Sequence, residues 1–203
     1  MRNATRWEDR ANADPNHSQW YIERFRRMAA DGADLAGEAR TIDAMIPRGS
    51  RVLDAGCGPG RVGSELAARG HTVVGVDVDP VLIEAAQADH PGSAWLVGDL
   101  AELDLPTRGV PEQFDIAICA GNVMTFLAPG TEVEVLRRLG SHVHADGRVV
   151  VGFGAGRGYA FEEFFADIEQ AALGLDGVFS TWDLRPFTDA SDFVVAVLIR
   201  AGG

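Results

Sequence analysis

From Arg51 onward, short runs of β-branched and other apolar residues alternate with segments whose apolar positions recur at helical spacing. The runs centre on residues 52–53, 72–76, 95–97, 116–118 and 149–151, with a weaker one at 179–184 and a last at 193–199. The first five are almost continuously apolar, the pattern of strands covered by helices on both faces of a parallel sheet. Helices are predicted between them. The helix over 61–69 closes on Gly70, which tolerates the left-handed conformation that ends a helix. Asp79 followed by Pro80 reads as an N-cap and first helical residue, opening a helix to about residue 89. Residues 131–142 and 161–173 supply two more.

Strand and helix in repeated alternation spell an α/β fold with an open, doubly wound, mostly parallel sheet. The last two strand candidates are joined by a short segment holding Pro186 and residues 189–192, too short for a crossover helix, so they should pair antiparallel at an edge. Residues 152–158 carry four glycines and read as a flexible loop at the carboxyl end of the fifth strand. Helices over 18–30 and 35–46, the second stopped by Pro47 and Gly49, belong to no strand–helix repeat. They are expected to cap, from residues 1–48, the sheet core of 49–203 within one domain spanning 1–203, because some fifty residues make a poor independent core.

The 203 residues, 46% hydrophobic and 24% charged, suit an ordinary globular chain. A chain this long buries about 70% of its unfolded surface, so stability requires no disulfide or structural metal. Eighteen basic residues against thirty acidic give a net charge of -12, the wrong sign for a protein that binds polynucleotides by neutralising phosphates. A local basic patch is still compatible with that total. Cys57 and Cys119 sit far apart in unlike contexts and read as reduced thiols of a cytoplasmic protein. The first twenty residues are polar, and no apolar run approaches the ~18 residues that a spanning helix needs, so neither export nor a membrane is expected. His142 and His144 lie two apart without a third ligand nearby, and no metal is assigned.

The chemistry concentrates in VLDAGCGPGRVG, residues 52–63. A strand ends at Asp54, glycines follow at Gly56, Gly58 and Gly60, and a helix begins near Arg61. Such a turn brings backbone within contact distance of a ligand and aims a helix N-terminus at it. Tight strand-to-helix turns also use glycine for purely structural reasons. Asp77 ends the next strand 21 residues after Gly56, the interval that places an acid beside the first loop, where it accepts hydrogen bonds from both hydroxyls of a ribose. Asp79 fits the helix cap and leaves Asp77 free. Asp99, in GDL after the third strand, is a third acid at the same edge, either a plain strand-end residue or one suited to an adenine amino group.

The series DAGCGPG, VVGVDVDP, LVGDL, FDIAICAGNVMTFL and HADGRVVVGF resembles, in order, the class I S-adenosylmethionine-dependent methyltransferases, over about 37–153 and more loosely over the terminal strand pair. The resemblance implies a Rossmann-like, seven-stranded, mostly parallel sheet with an antiparallel terminal strand. It implies S-adenosylmethionine as cofactor, S-adenosylhomocysteine as its product, and in-line transfer of a methyl group to a small-molecule acceptor. Asp54, Ala55 and Gly56, with Gly58 and Gly60 in the same turn, would meet the methionine end. Asp77 would hold the ribose and Val78 the adenine face. Asp99 would face the adenine amino group beside Leu100, and the carbonyl of Ala120 the methionine amino group. No catalytic base is implied. Where nucleic-acid amino-methylating relatives carry an Asn/Asp-Pro-Pro-aromatic tetrad, this chain has AGNV, residues 120–123.

Three segments could cover the pocket. Asn122, Met124 and Phe126 either contact the acceptor or, for the last two, pack the next helix. Of His17, Trp20, Tyr21, Arg24 and Phe25 in the cap, Tyr21 and Arg24 share a helical face. They either close over the cofactor, with Arg24 meeting its carboxylate, or form an aromatic anchor and a solvated basic face. Arg157 and Tyr159 either select the substrate or stand exposed. Two other functions stay open: a module that binds the cofactor without catalysis, and a nicotinamide or flavin oxidoreductase, because Gly58-Pro-Gly60-Arg-Val-Gly63 also fits the dinucleotide fingerprint. Asp54 just before the turn opposes a pyrophosphate and favours a sulfonium.

Overall fold

The computed structural model describes residues 2–201. Its centre is a seven-stranded sheet in the order β3-β2-β1-β4-β5-β7-β6. The strands are β1 (Arg51–Ala55), β2 (Thr72–Asp77), β3 (Ala94–Val97), β4 (Phe114–Cys119), β5 (Val143–Gly154), β6 (Leu173–Phe179) and β7 (Phe193–Arg200). β1 to β5 pair in parallel, whereas β7 runs antiparallel to both β5 and β6. The doubly wound sheet and the antiparallel terminal pair are as the pattern predicts. From β1 the chain winds outward first to β2 and β3, then back to β4 and β5, so the strand order reverses between β1 and β4. A crevice opens there, outside the carboxyl ends of the strands.

Helices α3 (Gly37–Met45), α4 (Arg61–Ala68) and α5 (Pro80–Asp89) cover one face, with Ile42, Leu66, Ile83 and Trp95 in its core. Helices α6 (Glu132–His142) and α7 (Phe161–Gln170) cover the other, where Phe114, Leu136, Phe153 and Phe164 are fully buried. Two further helices, α1 (Arg6–Ala13) and α2 (His17–Ala30), stand at the strand ends. No helix among the described residues is long and apolar enough to cross a membrane.

Four elements differ from expectation. The helix α1 replaces what reads as a polar leader; its signal is the capping box Thr5-x-x-Glu8, in which Glu8 N–H donates to Thr5 Oγ1 (3.1 Å) and Thr5 N–H to Glu8 Oε2 (2.8 Å). The helix predicted over 161–173 stops at Gln170, Ala172 turns left-handed (φ 57°), and the weak strand of 179–184 lies earlier, as β6. A register shift between Leu175 and Gly177 breaks the two-residue alternation there, which hides the strand from periodicity. Gly152 and Gly154 belong to β5, opposite Val195 and Phe193, rather than to a loop. Gly152 is bare because a Cβ would come within 2.5 Å of the Trp182 ring.

Asp79 ties the amino-terminal helices to the sheet. Its Oδ1 caps α5 through Val81 N–H (2.8 Å), while Oδ2 accepts from Trp7 Nε1 (2.7 Å) and from the Ser18 hydroxyl. Asp79→Ala should therefore cost about 2–3 kcal/mol, a lost cap plus two buried donors left unpaired. Urea unfolding measures the loss, and limited proteolysis should show α1 and α2 released; Asp79→Asn, which keeps an acceptor oxygen, should lose less.

Candidate functional site

The turn between β1 and α4 is folded by hydrogen bonds to the end of β2. Gly56 N–H and Cys57 N–H both donate to the Val76 carbonyl (2.8 and 3.1 Å). Gly56 and Gly58 have φ values of 76° and 54°, which side chains rarely adopt, and a Cβ on Gly56 would meet Val123 at 2.3 Å. The Asp77 carboxylate completes the turn: Oδ2 accepts from Gly58 N–H (2.8 Å) and Oδ1 from Asp79 N–H (3.0 Å). Asp54 acts similarly for α4, its Oδ2 accepting Gly63 N–H (2.8 Å) in the first helical turn.

Both acids are buried and both line a cavity at the switch point of the sheet. Its open space, mouth included, is about 840 Å³. Burial pushes the carboxyl of Asp54 up to about 7, although Gly63 N–H and the nearby Arg61 charge oppose the rise. Burial likewise pushes Asp77 up to about 6 against the hydrogen bonds from Asp79 and Gly58. A carboxylate has about four lone-pair directions. The backbone donors therefore leave capacity on each acid for a ligand. The Cys57 thiol, also in the wall, is raised by burial and by these two acids and stays protonated.

The adjoining strand ends supply the rest of the floor. Asp99 caps the following single turn through Ala101 N–H (2.9 Å) and lies 3.2 Å from the Arg2 guanidinium. Its side chain is only 5% exposed. Val78, Leu100 and Ala120 complete the floor. The roof comes from the amino-terminal segment: Thr5, Trp7, Tyr21 and Phe25 face the cavity. Trp7 packs edge-on against Tyr21 (5.1 Å) and Phe126 (5.6 Å), and Tyr21 against Phe25 (4.9 Å). Burial raises the Tyr21 hydroxyl.

The structure thus brings Asp54, Gly56, Gly58, Asp77, Val78, Asp99, Leu100, Ala120 and Tyr21 to one cavity. Ala55 is buried within β1, and Gly60 serves packing, because a Cβ there would press on His90 and Trp95 at 3.1 Å. Arg24 is exposed and lies over the rings of Trp20 and Phe25, outside the cavity. The cation in the wall is Arg61, locked by Glu38 (2.9 Å) and the Leu35 carbonyl (2.6 Å) and placed 5.4 Å over Phe25. Sequence spacing missed it because Glu38 is 23 residues away.

Of the five residues considered for the acceptor, Phe126 lines the cavity, whereas Asn122, Met124, Arg157 and Tyr159 are not part of its wall. Met124 is fully buried in the core, its packing alternative rather than the acceptor contact. Tyr159 is likewise interior, stacked on Phe153 (5.4 Å) with its hydroxyl donating to Asp167 Oδ2 (2.7 Å). Asn122, left-handed at φ 68°, accepts Gly154 N–H (2.8 Å) and so ties the loop after β4 to the end of β5. Arg157 is exposed. Val123 and Leu127 reach the cavity from the same loop as Phe126.

A family model described as a methyltransferase domain matches residues 52–147. The chain is 47% identical to a TehB-like SAM-dependent methyltransferase from Corynebacterium glutamicum, whose solved structure matches 92% of this chain and 100% of its own with a TM-score of 0.86. It is 33% identical over 153 residues to magnesium-protoporphyrin O-methyltransferase of Rhodobacter capsulatus, covering 71% of this chain and 62% of that protein. With ubiquinone biosynthesis O-methyltransferase of Aeromonas salmonicida the identity is 25% over 155 residues, 69% of this chain and 63% of that protein. The chain spans a little over six-tenths of the length of these two curated relatives.

The raised acids set a pH dependence for the ligand-free protein. An unfolded aspartate titrates near ~3.9. Between there and about 6 to 7 the folded chain holds protons on Asp77 and Asp54 that the unfolded chain has released. Stability should then fall as pH rises through this window. Urea unfolding at pH 5 and pH 8 should show it, and Asp77→Asn should flatten the difference.

Proposed function

Since the chain belongs to the class I S-adenosylmethionine-dependent methyltransferases, we propose that it transfers a methyl group from S-adenosylmethionine to a small-molecule acceptor. The observation that carries this reading is the convergence of Asp77, Asp99 and Ala120, from the ends of three different strands, on one cavity beside the glycine turn. The donor set suits the cofactor. A nucleoside needs acceptors for a diol and an amino group and apolar walls for its base. A positively charged sulfonium with an ammonium group needs carboxylates nearby, and the wall supplies two that no cation pairs among the described residues, Asp54 and Asp77.

In this reading Asp77 accepts the ribose hydroxyls, Val78 and Leu100 hold the adenine, and Asp99 accepts its amino group. The Ala120 carbonyl receives the methionine ammonium, with Asp54 behind the turn adding negative potential. Arg61, rather than Arg24, is the cation available to the methionine carboxylate. The cofactor supplies a methyl group on a sulfonium, whose departure leaves a neutral thioether, so no acid is required to assist it. The chain's part is to align the reactants and exclude water, which supplies several kcal/mol of a barrier. Trp7, Tyr21, Phe25 and Phe126 form the water-excluding wall. The curated relatives named above are O-methyltransferases, which makes oxygen the acceptor atom of this reading.

The reading extends to setting. Net charge of -12 supports a small molecule over a nucleic acid as partner, and the free, buried Cys57 and Cys119 support a reducing compartment such as the cytoplasm.

Calorimetric titration with S-adenosylhomocysteine tests the site. Asp77→Ala should weaken binding by roughly 1–3 kcal/mol, because two hydroxyls lose their acceptor. Wild-type affinity should also rise with pH from 5.5 to 8 as Asp77 and Asp54 ionise. Unchanged affinity in both experiments would remove the ribose from Asp77. Release of S-adenosylhomocysteine in the presence of acceptors separates an enzyme from a binding module.

A further inference from the structure

Two loops follow neighbouring strand ends: residues 120–131 after β4, of which Ala120, Gly121, Val123, Phe126 and Leu127 line the cavity, and residues 155–160 after β5. Arginines without an acid partner surround them. Arg6 and Arg10 lie one turn apart on α1. The Arg6 guanidinium donates through Nη1 to the carbonyls of Thr125 and Gly158, both at 3.3 Å, and so touches both loops at once. Arg10 sits 4.9 Å over the ring of Phe126, which is itself a cavity wall. Arg157 precedes Gly158, and its Nε lies 3.3 Å from where a Cβ on Gly154 would stand. That glycine is the one held by Asn122 from the first loop.

None of these three arginines pairs with a carboxylate among the described residues, whereas Arg2, Arg26 and Arg61, also in or near the amino-terminal roof, each do. The contrast is informative in a chain where thirty acids face eighteen basic residues, every one an arginine. Eleven of the eighteen arginines pair with an acid among the described residues, and Arg24, Arg27, Arg108 and Arg200 share with these three the lack of a partner. Three left free at one rim keep guanidinium forks whose geometry matches carboxylate or phosphate oxygens.

Resting on the proposed function, we infer that the methyl acceptor is an anion, a small molecule whose carboxylate or phosphate group is held at the rim by Arg6, Arg10 and Arg157. Its reacting atom extends past Phe126 toward Ala120 and Gly121. Charge at the sheet end is then divided by role, with acids below taking the cationic methyl donor and arginines above taking the anionic acceptor.

The test uses the intact protein saturated with S-adenosylhomocysteine and three probes of one shape: benzoate, phenyl phosphate and benzamide. At least one anion should bind about tenfold or more tighter than benzamide, and whichever binds better identifies the group. Arg10→Gln and Arg157→Gln should each weaken the anion about fivefold or more, Arg10→Lys should recover part of the loss, and S-adenosylhomocysteine affinity should stay within about twofold. Arg6 is left intact because it also braces the two loops. Equal binding of the amide and the anions, or full anion preference retained in both glutamine variants, would overturn the inference while leaving the methyltransferase reading standing. Failure of the wild type to bind S-adenosylhomocysteine would overturn both.

Discussion

The Asp77 carboxylate, buried at the end of β2, is the group from which the rest of the site is built. Its two oxygens accept Gly58 N–H and Asp79 N–H, so a single side chain fixes both the glycine turn of one strand–helix unit and the start of the helix in the next. Asp79, placed by that bond, then caps α5 and holds Trp7 and Ser18. Sheet, turn, helix and roof are thereby linked through two carboxylates two residues apart. The arrangement is costly to the fold, because desolvation opposes the charge on Asp77 and on Asp54. Such acids are the ones a cationic ligand stabilises, and their displaced titration is a mark of a site where binding rather than folding sets the requirement.

The two halves of the cavity have different origins. The floor belongs to the alternating strand–helix core and supplies polar acceptors at strand ends. The roof belongs to α1 and α2, outside that repeat, and supplies aromatic rings. Neither half suffices alone: carboxylates open to water would be screened and would interact weakly with a ligand, and an aromatic roof without acceptors would not orient a nucleoside. Arg2, paired with Glu8 and with Asp99, carries the roof's first residues to the Asp99 end of the floor. Arg61 performs the corresponding link at the other end, bonded to Glu38 of α3 while facing the cavity. Among the described residues, Arg2 pairs with Asp99 at 3.2 Å, while Arg61 stands in the cavity wall without pairing Asp54 or Asp77.

The strand–helix alternation and the acids of the floor were largely legible from residue pattern, and the strand order, the roof and the loops were not. Five continuous apolar runs specify parallel strands because each must be covered on both faces. Asp54, Asp77 and Asp99 could be placed on one edge because every strand of such a sheet ends on the same side before its helix begins. Asp79-Pro80 marked a helix start through chemistry confined to neighbouring residues. Each of these inferences uses a local rule or a symmetry of the repeat. The misplaced β6 breaks the local rule with its register shift, and α1 was hidden by a polar composition that obscured the capping box at Thr5 and Glu8.

What the amino-acid order determined by itself, then, was the class of fold, the edge where the chemistry lies and the acids that face it. Tertiary structure alone decided which way each loop and roof side chain turns: Met124 and Tyr159 into the core, Arg24 to solvent, Arg61 and Trp7 into the cavity. The physical reason is range. Strand and cap signals arise between residues a few positions apart, whereas the fate of these side chains depends on partners such as Asp79 for Trp7, 72 residues away, and on space that exists only once the layers have packed.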